Sequence, residues 1–358
     1  MAPNDYFTQQ AAPPTAEAIR LSQYAHTEAA EARQDWIKYI GSGPVGEYGG
    51  CNPADGYFCA LVLPMCKPER LRLPTTPNGT TTPHTDAFTL GRRTNIESDR
   101  KQLQAKTIQQ LLRTDKPCAE RIINTWKTML ATTLKQKSTS FSNLDEYLTF
   151  RIVDTGAPFV EATMLFGMGL TLPNHSKPWF DETTRPCFAS LALANDYFSF
   201  DREYAEFCLK GREEKGEKLI NAVWLCMKWH GVGPEVAKGM VREPCNGYER
   251  EFLRRCEGFL GEGEVGGEDR EKWGMYFRGL QHQVSGNVVW SLRCPRYHPE
   301  ERGFDPNAGV EDQVTKRIRK EYVGGKNSGD VEDGRGWGSM GFGERGLEVT
   351  SPGVEVAM

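Results

Sequence analysis

Three oxygen-bearing side chains recur at intervals of four residues in one apolar stretch of the chain. Asn195, Ser199 and Glu203 lie within PCFASLALANDYFSFDREYAEF. On an α-helix, residues spaced by four share a face, so an amide oxygen, a hydroxyl and a carboxylate line up over two turns. Such hard donors suit a Mg²⁺ ion that keeps some waters and takes its other ligands from a phosphorylated substrate. The alternative interpretation is a polar stripe on an amphipathic helix.

The charged residues between Asn195 and Glu203 are expected to lie on other faces of the helix. Asp196 and Asp201 project to other faces, and we expect them on the surface or behind the metal ligands, whereas Arg202 is placed to reach a phosphate. The pattern N-D-x-x-S-x-x-x-E resembles the second metal motif of class I terpene cyclases, enzymes that ionise a prenyl diphosphate with a trinuclear Mg²⁺ cluster. The resemblance implies that the three oxygen-bearing side chains are the metal ligands.

An upstream stretch, YLTFRIVDTG, resembles the same family. Arg151 lies 44 residues before Asn195 and is similar to the arginine that senses the diphosphate in that family. Asp154 is similar to the linker aspartate, and Thr155 occupies the effector position. The resemblance implies that diphosphate binding at Arg151 is coupled to ionisation through the helix around Gly156.

A downstream stretch, WSLRCPRY, is similar to the W-x-x-x-x-x-R-Y element of the family. The resemblance implies that Arg296 and Tyr297 hold the diphosphate, together with Arg151 and Arg202, when the site closes. A carbocation needs a dry pocket, where aromatic faces stabilise it by about 0.5 to 2 kcal/mol each. Trp290 is the best cavity candidate, and the further candidates are Phe58, Phe159 and Phe166.

Residues from about 30 to 300 resemble the cyclase halves of fungal chimeric terpene synthases such as fusicoccadiene synthase, in which a second half makes the prenyl substrate. The stretches GCNPADGYFCALVLPMCKPERL and GNVVWSLRCPRYH carry this likeness. The resemblance implies a lyase of secondary metabolism that cyclises geranylgeranyl diphosphate to a polycyclic diterpene with Mg²⁺. A C25 substrate, geranylfarnesyl diphosphate, is the alternative. The prenyltransferase half is absent, so a separate prenyltransferase is an expected partner, and a homo-oligomer is a further expectation.

One element of the family pattern is missing. The family's aspartate-rich metal motif follows a P-E-R-L element, but this sequence contains no Asp-Asp pair. Residues 74–94 instead hold three prolines and eight threonines, which predicts an irregular segment since each interior proline costs a helix about 3 kcal/mol. Its few acids, Asp86, Glu97 and Asp99, do not repeat the motif's spacing. Two explanations stay open: a divergent, catalytically impaired remnant, or translated intron in place of the exon for that helix.

Composition and charge exclude several other classes of function. The 358 residues carry a net charge of −4, which disfavours a role in coating nucleic acid or an anionic membrane. No run of 18 apolar residues and no signal peptide is found, so we expect a cytoplasmic protein. The ten cysteines form no C-x-x-C pair, which predicts buried, reduced thiols. No P-loop or dinucleotide-binding pattern occurs in a suitable context.

The apolar spacing predicts an all-α helical bundle with a central cavity. The predicted helices cover 15–40, 94–134 with a break at Pro117, 144–172, 186–210, 217–229, 234–255 with a split at Pro244, and 273–292. The predicted organisation is a flexible N-terminus (1–14), a cyclase domain (15–300) and a disordered glycine-rich tail (301–358). Residues 42–73 are predicted as loop, short helix and loop, and 257–272 as an exposed loop.

Overall fold

The computed structural model describes residues 58–71, 94–135, 139–172, 178–261, 267–292, 294 and 296–298. Within these ranges the chain forms helices and no strand, which confirms the predicted all-α class. The helices are α1 (Phe58–Val62), α2 (Pro68–Leu71), α3 (Thr94–Thr114), α4 (Lys116–Thr133), α5 (Leu144–Asp154), α6 (Ala157–Met168), α7 (Pro178–Leu209), α8 (Ala222–His230), α9 (Pro234–Gly261) and α10 (Gly267–Ser291).

The break between α3 and α4 falls where Pro117 predicts it. Asp115 caps α4 by accepting a hydrogen bond from the backbone N–H of Cys118, and Pro117 sits in the first turn. A proline is tolerated there because the first N–H groups of a helix have no partner within the helix. The same Asp115 accepts from Nη1 of Arg70 at 2.8 Å, which attaches the short α2 to the start of α4.

A turn at Gly156 divides the segment 144–172, which is predicted as one helix. Gly156 has a φ of +81°, a left-handed conformation that glycine adopts without steric cost. A Cβ at this position would also lie 2.7 Å from Sδ of Met129. Pro158 lies in the first turn of α6. The turn leaves Arg151 in the last turn of α5, facing α7.

Helices α7 and α9 are longer than predicted. Helix α7 begins at Pro178 and contains Pro186, and α9 continues through Pro244, so the predicted split at Pro244 is wrong. An interior proline costs about 3 kcal/mol in an isolated helix. Helix α9 packs along α7 and buries Val241 and Cys245 beside the proline, and this burial offsets the cost.

The segment 257–272, predicted as an exposed loop, is also mostly helical. Helices α9 and α10 extend into it from either side, and only 262–266 lie outside the described residues. Phe259 packs edge-on against Trp273 with ring centroids 5.3 Å apart, and Trp273 is only 1% exposed. The aromatic pair therefore stabilises helix where the glycines and acids predict a loop.

The centre of the fold is α7, which packs against α5, α8, α9 and α10. Its apolar residues join those of the neighbouring helices in one large core, while α4 and α6 form a second cluster with Phe159 and Phe166. Most cysteines in the described ranges are buried, and no disulfide joins them. None of the described helices is long and apolar enough to cross a membrane.

Several predictions fall outside the described residues. They are the N-terminus 1–14, the helix 15–40, the irregular segment 74–94 apart from its last residue, and the tail 301–358.

Candidate active site

Helix α7 presents Asn195, Ser199 and Glu203 on one face. Ser199 is 2% exposed, and the other two side chains are half-buried. The Ser199 hydroxyl oxygen is buried and has no hydrogen-bond partner among the described residues. A buried polar group left without a partner costs about 1 to 3 kcal/mol. Amide, hydroxyl and carboxylate oxygens are the donors that hard divalent cations take, so the residues fit a metal ion bound there.

Arg151 is held beside this face by two carboxylates and is only 7% exposed. Its Nε and Nη2 donate to Asp196 at 2.9 and 2.6 Å, and its Nη1 donates to Asp154 at 2.5 Å. Nη2 also donates to Oδ1 of Asn195 at 3.1 Å. Burial alone would lower the pKa of Arg151, but the acidic groups around it, of which Asp196 has the largest effect, together outweigh burial and hold the pKa above its ordinary value. Arg151 is therefore a fixed cation in contact with the α7 face.

Asp196 lies in the interior and is 0% exposed. Besides Arg151, its donors are the hydroxyl of Tyr147 and the backbone N–H of Ala222, the latter at 2.9 Å. Burial raises the pKa of Tyr147 well above its ordinary value, so its hydroxyl keeps the proton that it donates. Asp201, in contrast, has a side chain that is 65% exposed. Asp196 therefore lies behind the α7 face, and Asp201 lies on the surface. These are the two positions that the sequence predicts for the aspartates.

The segment after α10 returns to the same part of α7. Nδ2 of Asn195 donates to the hydroxyl of Tyr297 at 3.0 Å, and Nη1 of Arg202 donates to the backbone oxygen of Arg296 at 3.0 Å. The Arg296 guanidinium lies 5.9 Å from the centre of the Tyr297 ring. Burial raises the pKa of the Tyr297 hydroxyl, which therefore stays protonated. The structure thus brings the Tyr297 hydroxyl and the main chain of Arg296 to the α7 face, and one Arg202 nitrogen is bound to that main chain.

Trp290 packs between α1 and this returning segment. Its ring meets Phe58 edge-on at 5.1 Å and Tyr297 at 5.5 Å between centroids. Phe159 and Phe166 belong to the separate cluster on α4 and α6. The structure therefore brings only one of the three further aromatic candidates, Phe58, next to Trp290.

Asp154 and Thr155 lie behind Arg151. Asp154 is 4% exposed, and its Oδ1 accepts from the hydroxyl of Thr133 at 2.9 Å. The hydroxyl of Thr155 donates to the backbone oxygen of Arg151 at 3.0 Å, at the end of α5. Both residues thereby fix the turn from which the Arg151 side chain extends.

Sequence reasoning missed Tyr147 and Asn221. Tyr147 lies four residues before Arg151, so helical spacing could have placed the two side chains on one face of α5. Asn221 precedes the apolar run AVWLC, a typical N-cap position. Its Nδ2 donates to Glu203 at 3.2 Å, a tertiary contact for which no local sequence signal exists.

Comparisons with known proteins show which family the chain resembles. The family model described as terpene synthase family 2, C-terminal metal binding, matches residues 93–251. Terpene cyclase ATR13 of Stachybotrys chlorohalonatus is 38% identical over 88% of this chain and 88% of that protein. Variediene synthase of Aspergillus brasiliensis is 41% identical over 78% of this chain, and bifunctional sesterterpene synthase astC of Talaromyces wortmannii is 33% identical, also over 78%. The chain spans only 42% and 40% of the lengths of these two proteins.

Solved structures show the same fold at lower sequence identity. Aristolochene synthase from Penicillium roqueforti superposes with a TM-score of 0.57 at 17% identity, over 75% of this chain and 94% of that one. Together with the 38% identity to ATR13 over most of both chains, the comparisons define the class. The chain belongs to the class I terpene cyclases of fungal type. The family model that matches is one of metal-binding terpene synthases, and the relatives named above are terpene synthases and a terpene cyclase.

Proposed function

We propose that this protein ionises and cyclises geranylgeranyl diphosphate in a Mg²⁺-dependent reaction that yields a polycyclic diterpene and inorganic diphosphate. The observation that carries the proposal is the Ser199 hydroxyl, which is buried without a hydrogen-bond partner among the described residues and lies between Asn195 and Glu203 on one helix face. The likeness to variediene synthase supports cyclisation as the outcome.

In this proposal Asn195, Ser199 and Glu203 hold the Mg²⁺ ion. When bound, the ion supplies positive charge that stabilises the departing diphosphate. The Asn195 oxygen already accepts from Arg151 and retains a second lone pair for the ion. The α7 face therefore supplies one neutral amide, one hydroxyl and one carboxylate.

The diphosphate is bound by Arg151, Arg202, Arg296 and Tyr297. Arg151 has five N–H donors, and its contacts in the described residues use four, so one N–H on Nη1 is available to a diphosphate oxygen. Arg202 likewise uses Nη1 on the Arg296 backbone and keeps its other donors for the leaving group. Preorganised donors of this kind stabilise negative charge without reorganising as the C–O bond breaks.

The remaining residues control the carbocation and the coupling to diphosphate binding. Asp154 and Thr155 connect the last turn of α5, which carries Arg151, to Gly156. Through this connection, diphosphate binding at Arg151 is coupled to ionisation of the substrate. Trp290 offers an aromatic face that stabilises a cation without attacking it. The cyclase domain comprises residues 15–300 and acts in the cytoplasm on a prenyl diphosphate made by a separate prenyltransferase.

Incubation of the purified chain with Mg²⁺ and C15, C20 or C25 prenyl diphosphates, followed by hydrocarbon extraction, tests this proposal. We expect a cyclic product from the C20 substrate that is lost in Glu203→Gln and Asn195→Ala. Asp201→Asn, on the exposed side of the same helix, is the control and should keep full activity. Product from the C25 substrate instead would establish the alternative, which the likeness to the sesterterpene synthase astC favours.

A catalytically impaired remnant is the second candidate. It is favoured by the absence of any Asp-Asp pair in the whole sequence. Diphosphate binding without any hydrocarbon product, from all three substrates, would identify it.

A further inference from the structure

Asn221 occupies a buried position between α7 and α8. It is 0% exposed and caps α8, since its Oδ1 accepts from the backbone N–H of Val223 at 2.9 Å. Its amide nitrogen makes two further contacts across to α7. Nδ2 donates to the backbone oxygen of Asp196 at 2.9 Å and to Oε2 of Glu203 at 3.2 Å. One side chain therefore caps a helix, contacts the proposed ligand Glu203, and contacts the main chain of Asp196, the residue after Asn195.

Glu203 depends on this contact for its orientation. Among the described residues, the Asn221 amide is the one group that donates a hydrogen bond to the Glu203 carboxylate. A half-buried glutamate has three rotatable side-chain bonds, and an unrestrained side chain loses that freedom when it binds a metal. Holding Oε2 from behind removes part of that loss and leaves Oε1 for an ion on the α7 face.

The Asp196 contact determines where the amide sits. Asp196 directly follows Asn195, and its carboxylate accepts from the backbone N–H of Ala222, the residue after Asn221. Asn221 and Ala222 thus fix the start of α8 to Asp196 through side chain and main chain together. The position of the Nδ2 donor relative to Glu203 is set by this pairing and not by a flexible loop.

We infer that Asn221 is a positioning residue that orients the Glu203 carboxylate towards the divalent cation, an inference that rests on the proposed metal site. Hydrogen-bond partners of metal ligands typically change metal affinity by 10- to 100-fold when they are removed. The cap alone does not require this donor, because a serine hydroxyl accepts from the second N–H of a helix as well as an asparagine does.

The test measures Mn²⁺ binding to the full-length chain by electron paramagnetic resonance, without substrate. Asn221→Ser keeps an oxygen that can cap α8 but is too short to contact both Asp196 and Glu203. We expect its Mn²⁺ affinity to fall by about 10-fold or more. Asn143→Ser is the matched control, because Asn143 caps α5 through Glu146 N–H at 2.9 Å and contacts none of the proposed ligands. Its Mn²⁺ affinity should be unchanged.

A double-mutant cycle separates positioning from a structural role. In Glu203→Asp the carboxylate is withdrawn from Asn221, so adding Asn221→Ser should then change Mn²⁺ affinity little. If Asn221→Ser does not fold, Asn221→Thr, which keeps a capping hydroxyl and more of the side-chain volume, is measured in the same cycle. Equal affinity in the folded variant and the unsubstituted chain, or fully additive effects in the cycle, would overturn the inference while leaving the metal site intact. An unsubstituted chain that binds no Mn²⁺ would overturn the inference and the proposed metal site together.

Discussion

Three residues converge on the Asp196 carboxylate in the interior of the molecule: Arg151, Tyr147 and Ala222. Asp196 and Arg151 form a buried ion pair, and removing one partner of such a pair typically costs 3 to 5 kcal/mol since the other charge stays buried. The charge of Asp154, which also pairs with Arg151, compensates for only part of this loss.

We therefore expect Asp196→Asn to lower the free energy of unfolding by about 3 kcal/mol, measured by urea denaturation. Asp201→Asn serves as the control on the same helix. Asp201 is exposed and pairs with Lys238 at 2.7 Å, and pairs of this kind contribute about 0 to 1 kcal/mol. Equal effects of the two substitutions would show that the Asp196 network does not support the fold.

Glu249 on α9 is a second buried carboxyl group, and both of its oxygens lack a hydrogen-bond partner in the described part of the chain. Burial, opposed by Arg250, raises its pKa from 4.5 to about 8. The unfolded chain releases this proton near the ordinary pKa, so between the two values the folded state binds more protons. The stability that the neutral Glu249 carboxyl group contributes is fully present below about pH 4.5. It is lost as the pH rises through about 8, by about 5 kcal/mol in total at 1.36 kcal/mol per pKa unit.

Glu249→Gln removes this titration. We expect the variant to lose less stability than the unsubstituted chain when urea denaturation is compared at about pH 5 and about pH 8. Glu257→Gln, on the exposed side of the same helix, should keep the original pH dependence. An unchanged pH dependence in Glu249→Gln would mean that the carboxyl group is not neutral in the folded protein.

For single residues, the sequence predicts the positions of the side chains on the α7 face better than the positions of the residues that contact them. The shared face of Asn195, Ser199 and Glu203 follows from spacing alone, because helix geometry is local. The contact between Asn221 and Glu203 spans 18 residues and a change of helix, so it depends on how α8 packs. The same limitation applies to Asp196, whose interior position depends on Tyr147 and Arg151 from another helix.

At the scale of helices, the close approach of α10 to α1 depends on one glycine. A Cβ on Gly286 would lie 2.2 Å from the backbone oxygen of Leu61 and 2.8 Å from the backbone nitrogen of Val62. Backbone atoms cannot rotate away as a side chain can. The two helices must therefore separate if any larger residue replaces the glycine, and Trp290 on α10 would then move relative to Phe58 on α1.

We expect Gly286→Ala to lower the free energy of unfolding by about 1 to 3 kcal/mol, measured by thermal or urea denaturation. Gly274→Ala on the same helix is the matched control, because a Cβ there meets nothing within 4 Å. Alanine is the better helix former, so the control should gain roughly 0.5 to 1 kcal/mol. A stabilised Gly286→Ala would contradict the close packing of α1 on α10.

The existence of the helices is predictable from apolar spacing, whereas their ends are not. Pro244 and the glycine-rich stretch around 257–272 are local signals for a break, but burial against α7 and the Phe259–Trp273 contact override them. The reverse holds for the segment 144–172, whose apolar spacing continues through Gly156 while the backbone turns. Local propensity is a weak prior, and tertiary packing decides such cases.

At the scale of the whole molecule, the segment between α2 and α3 separates this chain from its family pattern. Its residues 72–93 lie outside the described ranges, but the helix before it is fixed. Nη1 of Arg70 in α2 donates to Asp115 at 2.8 Å and to the backbone oxygen of Phe166 at 3.0 Å. Since α3 packs against the same α4 that Asp115 caps, both flanking helices are attached to one part of the bundle.

We therefore expect that replacing residues 72–93 with the aspartate-rich helix of a fungal terpene cyclase of the family raises turnover of the prenyl diphosphate. Metal ions on a leaving group contribute several kcal/mol of transition-state stabilisation. At about 1.4 kcal/mol per tenfold in rate, the graft should increase kcat/KM by about 100-fold or more. The measurement is hydrocarbon formation with Mg²⁺, and the control is the same graft with its aspartates changed to asparagine. An active graft whose asparagine control is equally active would show that the segment acts through the fold and not through metal. Turnover that is already present in the unsubstituted chain and stays unchanged in both grafts would indicate a divergent cyclase whose α7 residues suffice.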